Sequence, residues 1–264
     1  MTALDKSLVL EVAGPGIFRT QADPAFKGAV GMFGGWLAAL MLKSVLDSPA
    51  SEGTLSALTL NFIKGVLPGS ALSLHTSRLG GGHSLAHWRC DLFIEDGSEF
   101  AATAIIVLAN RRQSERHTEL RMPDAAAPES LPVVHPPSSS GEHVDARIAL
   151  GHPFRDKGST RSLTWLRDMS QRPLDALQLV SQCDNLAPRI LYISESEGPR
   201  PSPTVTFSVY VHATDDEMAS VGSEFILSEV IGTRIEHSTS GSRSNLWSRD
   251  GVLLATSEQL QWFK

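Results

Sequence analysis

The chain carries the same pattern of elements twice. Residues 92–106 (LFIEDGSEFAATAII) and 246–260 (LWSRDGVLLATSEQL) each read as a strand, an Asp-Gly turn and a second strand. The two turns are offset by 250 − 96 = 154 residues. Further upstream, LTLNFI at 58–63 matches VTFSVY at 205–210, an offset of 205 − 58 = 147. The sequence therefore predicts two tandem copies of one unit, separated by small loop insertions.

Each copy also contains an apolar segment ahead of its strands. GGWLAALML at 34–42 matches CDNLAPRIL at 183–191, an offset of 183 − 34 = 149. We expect helices that include Trp36–Lys43 and Leu186–Ile193, each followed by several long antiparallel strands. One face of such a sheet must be covered, and a single central helix is enough to cover it. The predicted fold class is α+β, with each half a curved antiparallel sheet wrapped around one helix.

A proline-rich stretch divides the two copies. Between Met122 and Asp145 the chain contains five prolines, three consecutive serines and a glycine. Prolines at this density exclude a regular helix or a central strand. We therefore predict an N-terminal domain at 1–112, a Pro/Ser-rich linker at 113–146 and a C-terminal domain at 147–264.

The stretch GGGHSLAHW at 80–88 is close to the G-x-S-x-G turn that carries the nucleophile of many serine hydrolases. That turn is followed by a helix, whereas the residues after Ser84 alternate with a period of two. Residues 70–79 alternate as well, so the pattern predicts a glycine-rich hairpin turn between two strands. Ser84 is then a turn residue and not a nucleophile.

Composition excludes several classes of protein. The net charge of −6 argues against a nucleic-acid surface. The longest apolar run, at 31–42, has 12 residues, fewer than the ~20 that a membrane-spanning helix needs. Only Cys90 and Cys183 are present, and the first residues lack the pattern of a signal peptide. We expect a cytoplasmic protein with no membrane or nucleic-acid partner.

These features together resemble a known family. The helix FGGWLAALML, the strand segment LTLNFIKGVLPG, the G-x-S turn and the Asp-Gly hairpin are similar to the hot dog fold of acyl-CoA thioesterases. The double arrangement resembles the bacterial acyl-CoA thioesterase II family and its thioesterase-like relatives. The resemblance covers residues 25–110 and 148–263. It implies a tandem hot dog fold and the hydrolysis of acyl-CoA to a carboxylic acid and CoA.

The resemblance also implies a site. The thioesterase II family carries an Asp, a Thr or Ser, and a Gln at positions that match Asp184, Thr204 and Gln259. In the repeat alignment these residues stand opposite Gly35, Ala57 and Ile105 of the first half. The chemistry is suitable, because a carboxylate can take a proton from water while a hydroxyl and an amide orient that water.

Two glycines are the candidate substrate-binding residues. Gly34 and Gly35 begin the first predicted helix, where backbone N–H groups and the helix dipole favour a developing oxyanion. We expect the Gly35 amide to be an oxyanion donor. Asp184 is expected to open the second helix, where the simpler role of an N-cap is also open to it.

The chain departs from the family at two positions. His83 stands where many members have Arg in the first-half turn, and Trp36 stands where thioesterase II proteins often have Gln. The first departure bears on contacts with CoA, and the second on the shape of the acyl tunnel. Arg111 and Arg112 are further candidates for CoA phosphates, although paired basic residues at a strand end are commonly just solvated.

Two other functions stay open. A hot dog hydratase or dehydratase acting on acyl thioesters would need a His beside an Asp or Glu, and a degenerate copy would bind acyl thioesters without catalysis. We expect no metal, because His83 and His87 lie on a strand and not on one helix face, and no other cofactor. An exposed sheet edge or face predicts a homo-oligomer, most simply a dimer.

Overall fold

The computed structural model describes residues 1–95, 98–135, 138–195 and 200–264. The first half comprises α1 (Ala3–Ser7), β1 (Glu11–Gly14), β2 (Ile17–Gln21), α2 (Gly34–Leu46), β3 (Thr54–Phe62), β4 (Ala71–Gly81), β5 (Leu85–Ile94) and β6 (Glu99–Ala109). The second half comprises β7 (Val144–Leu150), β8 (Ser162–Asp168), α3 (Ala176–Cys183), β9 (Thr204–Val211), α4 (Asp215–Val221), β10 (Ile226–Glu236), β11 (Thr239–Ser248) and β12 (Leu253–Trp262).

All twelve strands form one antiparallel sheet in the order β1-β2-β4-β5-β6-β3-β9-β12-β11-β10-β8-β7. The order of the second half repeats that of the first in reverse, so β3 and β9 meet at the centre. There Leu58 lies opposite Val209 and Leu60 opposite Phe207, all four fully buried. The predicted α+β class and tandem arrangement are confirmed. Each half also has two strands before its helix, beyond the elements predicted from the repeat.

The two long helices lie inside the curve of the sheet and pack against each other. The side chains of Trp36, Leu40, Met41 and Leu42 on α2 have no exposed surface. A helix that is apolar on all sides has to be enclosed by protein, and here the sheet and α3 enclose it. The main hydrophobic core therefore runs through both halves without a break. No helix in the described ranges is long and apolar enough to cross a membrane.

The second predicted helix, Leu186–Ile193, is wrong. The α-helix of this half is Ala176–Cys183, and only a short 3-10 helix forms later, at Arg189–Tyr192. Pro188 accounts for the difference, because its ring disfavours helical geometry at the residue before it and it has no N–H to donate. The start of the real helix has a clear sequence signal, since the side chain of Asp175 caps it by accepting from the backbone N–H of Gln178 over 2.9 Å.

The predicted hairpin turns can be checked in two places. Between β4 and β5 the turn consists of Gly82, His83 and Ser84, and a strand follows directly, which confirms that Ser84 does not precede a helix. Between β11 and β12 the turn contains Asp250 and Gly251, and Gly251 has a positive φ of 84°. The corresponding first-half turn residues, Asp96 and Gly97, lie outside the described residues.

The linker covers the outer face of the second half. Met122, Ala125 and Leu131 pack against a buried cluster on that face, and the indole N–H of Trp165 donates to the carbonyl of Ala126 over 2.8 Å. The members of that cluster are Leu163, Trp165, Phe225, Leu227 and Trp247. The predicted domain boundary between residues 146 and 147 falls within β7, which begins at Val144.

Candidate active site

Asp184 and Gln259 form a direct pair inside the second half. Asp184 is the residue that ends α3, with φ −94° and ψ 0°, and Gln259 points inward from β12 with 5% of its surface exposed. The side-chain Nε2 of Gln259 donates to Oδ1 of Asp184 over 2.7 Å. The pairing of a carboxylate with a carboxamide was expected, but Asp184 ends its helix and does not open it.

The carboxylate of Asp184 is poorly solvated. The residue keeps some accessible surface, yet burial of its carboxyl group raises the pKa from 3.8 to about 7. The hydrogen bond from Gln259 opposes this shift, and a weaker contact from the backbone N–H of Gly35 opposes it further. The carboxyl group is thus poised to gain or lose a proton near neutral pH.

The start of α2 lies directly against Asp184. A Cβ added to Gly34 would come within 2.7 Å of Oδ2 of Asp184, and one added to Gly35 would collide with the carbonyl oxygen of Ser181. The missing side chains therefore allow α2 of the first half to touch the end of α3. Phe33, the N-cap residue, makes no side-chain capping bond. The positive end of the α2 dipole consequently faces the carboxylate.

The start of α3, unlike that of α2, is capped by the side chain of its own N-cap residue. Asp175 caps its own helix, and Arg172 forms ion pairs with Asp175 over 2.7 Å and with Asp5 over 2.8 Å. The backbone N–H of Gln178 and the charges at this helix end therefore have partners. The start of α2 at Gly34 differs, because its own N-cap residue makes no side-chain bond and the Asp184 carboxylate of the other half faces it instead.

Thr204 lies on the strand next to that of Gln259. Thr204 is the first residue of β9 and lies opposite Gln261 in the ladder, next to an irregularity in register. Cross-strand partners share a face of the sheet, so Thr204 is on the same face as Gln259. Within the described part of the chain, its hydroxyl makes no hydrogen bond to Asp184 or to Gln259.

Two of the repeat correspondences need correction. Asp184 and Gly35 are not equivalent positions, because Asp184 lies at the end of α3 whereas Gly35 lies at the start of α2. The two residues are instead in contact with each other. Ile105 faces outward with 39% of its surface exposed, whereas Gln259 faces inward. The alignment that pairs them is therefore wrong by one residue, which is enough to exchange the two faces of a strand. The Gly35 amide, expected to face substrate, is directed at Asp184.

The inner face of β11 and β12 carries a row of polar side chains of which only Gln259 is predicted from the sequence. Three successive cross-strand pairs make it up, and we call them the polar strip: Ser244–Ser257, Ser242–Gln259 and Ser240–Gln261. Each of these side chains is at most 5% exposed. The signal was present as alternation, in SGSRS (240–244) and SEQLQ (257–261), but buried positions of a strand were expected to be apolar.

The other candidates have structural partners. Ser84 accepts a hydrogen bond from Arg112, and His83 lies with it in the exposed hairpin turn. The guanidinium of Arg111 donates to four backbone carbonyls, one on β3 and three at the end of β9, and so joins the halves. The indole of Trp36 is fully buried and donates to the hydroxyl of Ser7 over 2.9 Å, which attaches α1 to α2.

Comparison with known proteins agrees with this architecture. The acyl-CoA thioesterase family matches the chain in two stretches, its N-terminal domain over residues 22–109 and its C-terminal domain over residues 118–263. No match was found among curated protein sequences.

Solved structures share the fold over the whole chain. A conserved protein of unknown function with a hot dog fold from Alicyclobacillus acidocaldarius is 30% identical, with 100% of this chain and 98% of that one covered and a TM-score of 0.93. An acyl-CoA thioesterase II from Mycobacterium marinum is 17% identical, with 99% and 98% covered and a TM-score of 0.78. The tesB protein of Mycobacterium avium subs paratuberculosis is 18% identical, with the same coverage and a TM-score of 0.79. With a tandem hot dog fold and both halves matched, this chain belongs to the acyl-CoA thioesterase family.

Proposed function

We propose that this protein hydrolyses acyl-CoA thioesters and that Asp184 is the general base. The observation that carries the proposal is the bond between Asp184 and Gln259 at the uncapped start of α2. A general base works best when its pKa is near the working pH, and burial raises the pKa of Asp184 to about 7.

The reaction then proceeds through one activated water. Asp184 takes a proton from the water, and the resulting hydroxide attacks the thioester carbonyl carbon. The tetrahedral intermediate collapses with cleavage of the C–S bond, and the CoA thiolate leaves and is protonated. The products are the carboxylic acid and free CoA.

Gln259 and Thr204 are assigned to orienting the water. Oε1 of Gln259 is buried and has no hydrogen-bond partner among the described residues, so it is free to accept from a water. The Thr204 hydroxyl, on the same face of the sheet, is the second orienting group. Holding the nucleophilic water in the correct orientation toward the carbonyl carbon accounts for much of the rate enhancement in such reactions.

The oxyanion is assigned to the start of α2. Gly34 is assigned to substrate binding through its backbone N–H, and the helix dipole favours negative charge there. Because the Gly35 amide contacts Asp184, its proposed role is to hold the base, while Gly34 remains the substrate-binding residue.

The alternative functions have less support. A hydratase or dehydratase would need a His at the site, and no histidine of the described chain hydrogen bonds to Asp184. The dehydratase domain of PpsC from Mycobacterium tuberculosis shares the fold, with a TM-score of 0.59 at 14% identity. A binding protein without catalysis would not need a carboxyl group with a raised pKa.

The test is a panel of acyl-CoAs assayed for release of free thiol. Hydrolysis that depends on Asp184 supports the proposal. Binding of acyl-CoA without any thiol release would support the binding protein instead, and addition of water to enoyl-CoA would support the hydratase.

We also place the protein in the cytoplasm as a homodimer. Both cysteines, Cys90 and Cys183, are free and buried, which suits a reducing compartment. The outer face of the central strands exposes large apolar side chains such as Ile105, Tyr210 and Leu260, each 38% to 48% accessible. Light scattering that gives a monomer mass would overturn the dimer.

A further inference from the structure

The inner faces of the two halves differ in polarity. On β5 and β6 of the first half the inward side chains are apolar and fully enclosed, for example Cys90, Leu92, Ala104 and Ile106. The matching strands of the second half, β11 and β12, present the polar strip instead. Serine and glutamine side chains contribute little to a core, so six of them in succession point to a role in binding.

The two ends of the polar strip differ in whether their polar atoms have hydrogen-bond partners. At one end, the hydroxyls of Ser244 and Ser257 bond to each other. At the other end, Oγ of Ser240 and Oε1 of Gln261 are buried and have no partner among the described residues. Buried polar atoms without partners destabilise a fold, so their position next to the candidate site requires an explanation.

The unpartnered end lies close to the reacting groups. Gln259, which holds Asp184, is two residues from Gln261 on the same strand and face. Two residues of a strand span about 7 Å. Beyond this point the sheet meets an apolar cluster formed by Ile190, Leu191 and Tyr192, which packs against Ile235, the cross-strand partner of Ser240.

Resting on the proposed thioesterase function, we propose that Ser240 and Gln261 form the acyl subsite and select a short acyl group that carries a hydroxyl. Oε1 of a glutamine can only accept, so the ligand atom facing it must donate, which a hydroxyl does and a carboxylate does not. Ser240 can donate to or accept from the same hydroxyl. The apolar cluster beyond them limits the length of the acyl group.

The experiment compares matched thioesters. Rates of thiol release are measured for hydroxybutyryl-CoA against butyryl-CoA, and for hydroxyhexanoyl-CoA against hexanoyl-CoA. We expect the kcat/KM of the wild-type protein for the hydroxylated member to be about tenfold higher or more, because a site built to bond a hydroxyl rejects the analogue that lacks it.

Two variants locate the preference. Gln261→Met and Ser240→Ala should each reduce the ratio of the two kcat/KM values by roughly fivefold to tenfold. Ser244→Ala is the matched control, because the hydroxyl of Ser244 is already bonded to Ser257, and its ratio should stay at the wild-type value.

The outcomes separate the two proposals. Hydrolysis of all four thioesters without preference, or a ratio that neither variant changes, overturns the subsite and leaves the thioesterase intact. If no thioester is hydrolysed, the proposed function fails, and the affinity of the wild-type protein for each pair, measured by calorimetry, still decides the subsite.

Thermal unfolding gives a second readout. Gln261→Met replaces an unpartnered buried amide by an apolar group of similar length, so its Tm should rise, on the order of 2 °C. A Tm that falls would show that the amide is bonded within the fold, and this would overturn the assignment to ligand binding.

Discussion

Gly34 and Asp184 touch across the junction of the two halves, where a Cβ on Gly34 would come within 2.7 Å of Oδ2 of Asp184. Gly34 begins the helix of the first half, and Asp184 ends the helix of the second. The carboxylate therefore gains its helix-dipole contact only when both halves are docked. The proposed site therefore draws on both copies of the duplicated fold.

Gly34→Ala tests this contact. The new methyl group has to displace the Asp184 carboxylate, so we expect kcat to fall by at least about tenfold, since small displacements of catalytic groups are costly. Gly65→Ala is the control, because a Cβ there meets no atom of the described residues within 4 Å. Steady-state kinetics of both variants provide the measurement, and equal kcat values would show that the contact is not needed.

Asp184→Asn tests the general base. The substitution keeps the size of the side chain but removes the proton acceptor, so kcat should fall by about 10² to 10⁴-fold. Thr204→Val and Gln259→Leu should cost less, because each of these residues only orients the water. Ser84→Ala serves as the control and should keep full turnover, since Ser84 lies in the β4–β5 turn. Loss of activity in Ser84→Ala with retention in Asp184→Asn would assign the reaction to the serine.

The pH dependence tests the environment of the base. Because burial raises the pKa of Asp184 to about 7, kcat/KM should rise with pH and level off above that value. Gln259→Leu removes a hydrogen bond that favours the charged form, so its rising limb should move to higher pH. Thr204→Val should leave the midpoint in place. A wild-type limb centred below about pH 5 would indicate a solvated carboxylate instead.

Arg111 tests the attachment of the two halves. Its guanidinium donates to Leu55 on β3 and to Val211, His212 and Ala213 at the end of β9. Arg111→Ala should lower the free energy of unfolding by about 2 kcal/mol, since several hydrogen bonds from a charged donor are lost at a partly solvated site. Arg112→Ala, which loses one exposed bond to Ser84, should change it by less than about 0.5 kcal/mol. Urea unfolding of both variants distinguishes them, and equal losses would exclude a joining role for Arg111.

Pattern and turn chemistry were enough to predict the tandem arrangement. The Asp250–Gly251 turn and the alternating strands around it follow local rules that survive in the folded protein. The second helix was misplaced because its apolar residues were matched to α2, although Pro188 stands within the proposed segment. Sequence order alone also does not fix which residues meet: the repeat alignment pairs Gly35 with Asp184 as equivalent positions, whereas the two residues are in contact.

The polarity of the strip shows a second limit of sequence reasoning. The resemblance of the chain to a family predicts Gln259 as a site residue. It does not predict Gln261 or Ser240, although both follow the same alternation. Whether a polar position on a strand faces water or the core depends on register, and a shift of one residue reverses it. The alignment of Gln259 with the outward-facing Ile105 contained that error.

The stability of Asp184→Asn provides the last test. We expect this substitution to raise the free energy of unfolding although it lowers kcat. The pKa of Asp184 is about 7 in the folded protein against an ordinary value of 3.8, so between these values the folded state holds a proton that the unfolded state has released. The resulting stability is fully present below about pH 4 and is lost as the pH rises to about 7. Each pKa unit corresponds to about 1.4 kcal/mol, so the charged carboxylate costs about 2 to 4 kcal/mol at pH 8. Asp184→Asn removes that cost.

The neutral amide also fits the site. Oε1 of Gln259 has no partner in the described structure, so the Gln259 carboxamide can rotate and accept from the new Asn side chain. We therefore expect Asp184→Asn to be more stable than the wild-type protein at pH 8 and nearly equal to it at pH 4, as measured by urea unfolding. A variant that is less stable at pH 8 would show that the carboxylate stabilises the fold, as an ordinary structural ion would, and would remove the argument that its burial serves catalysis.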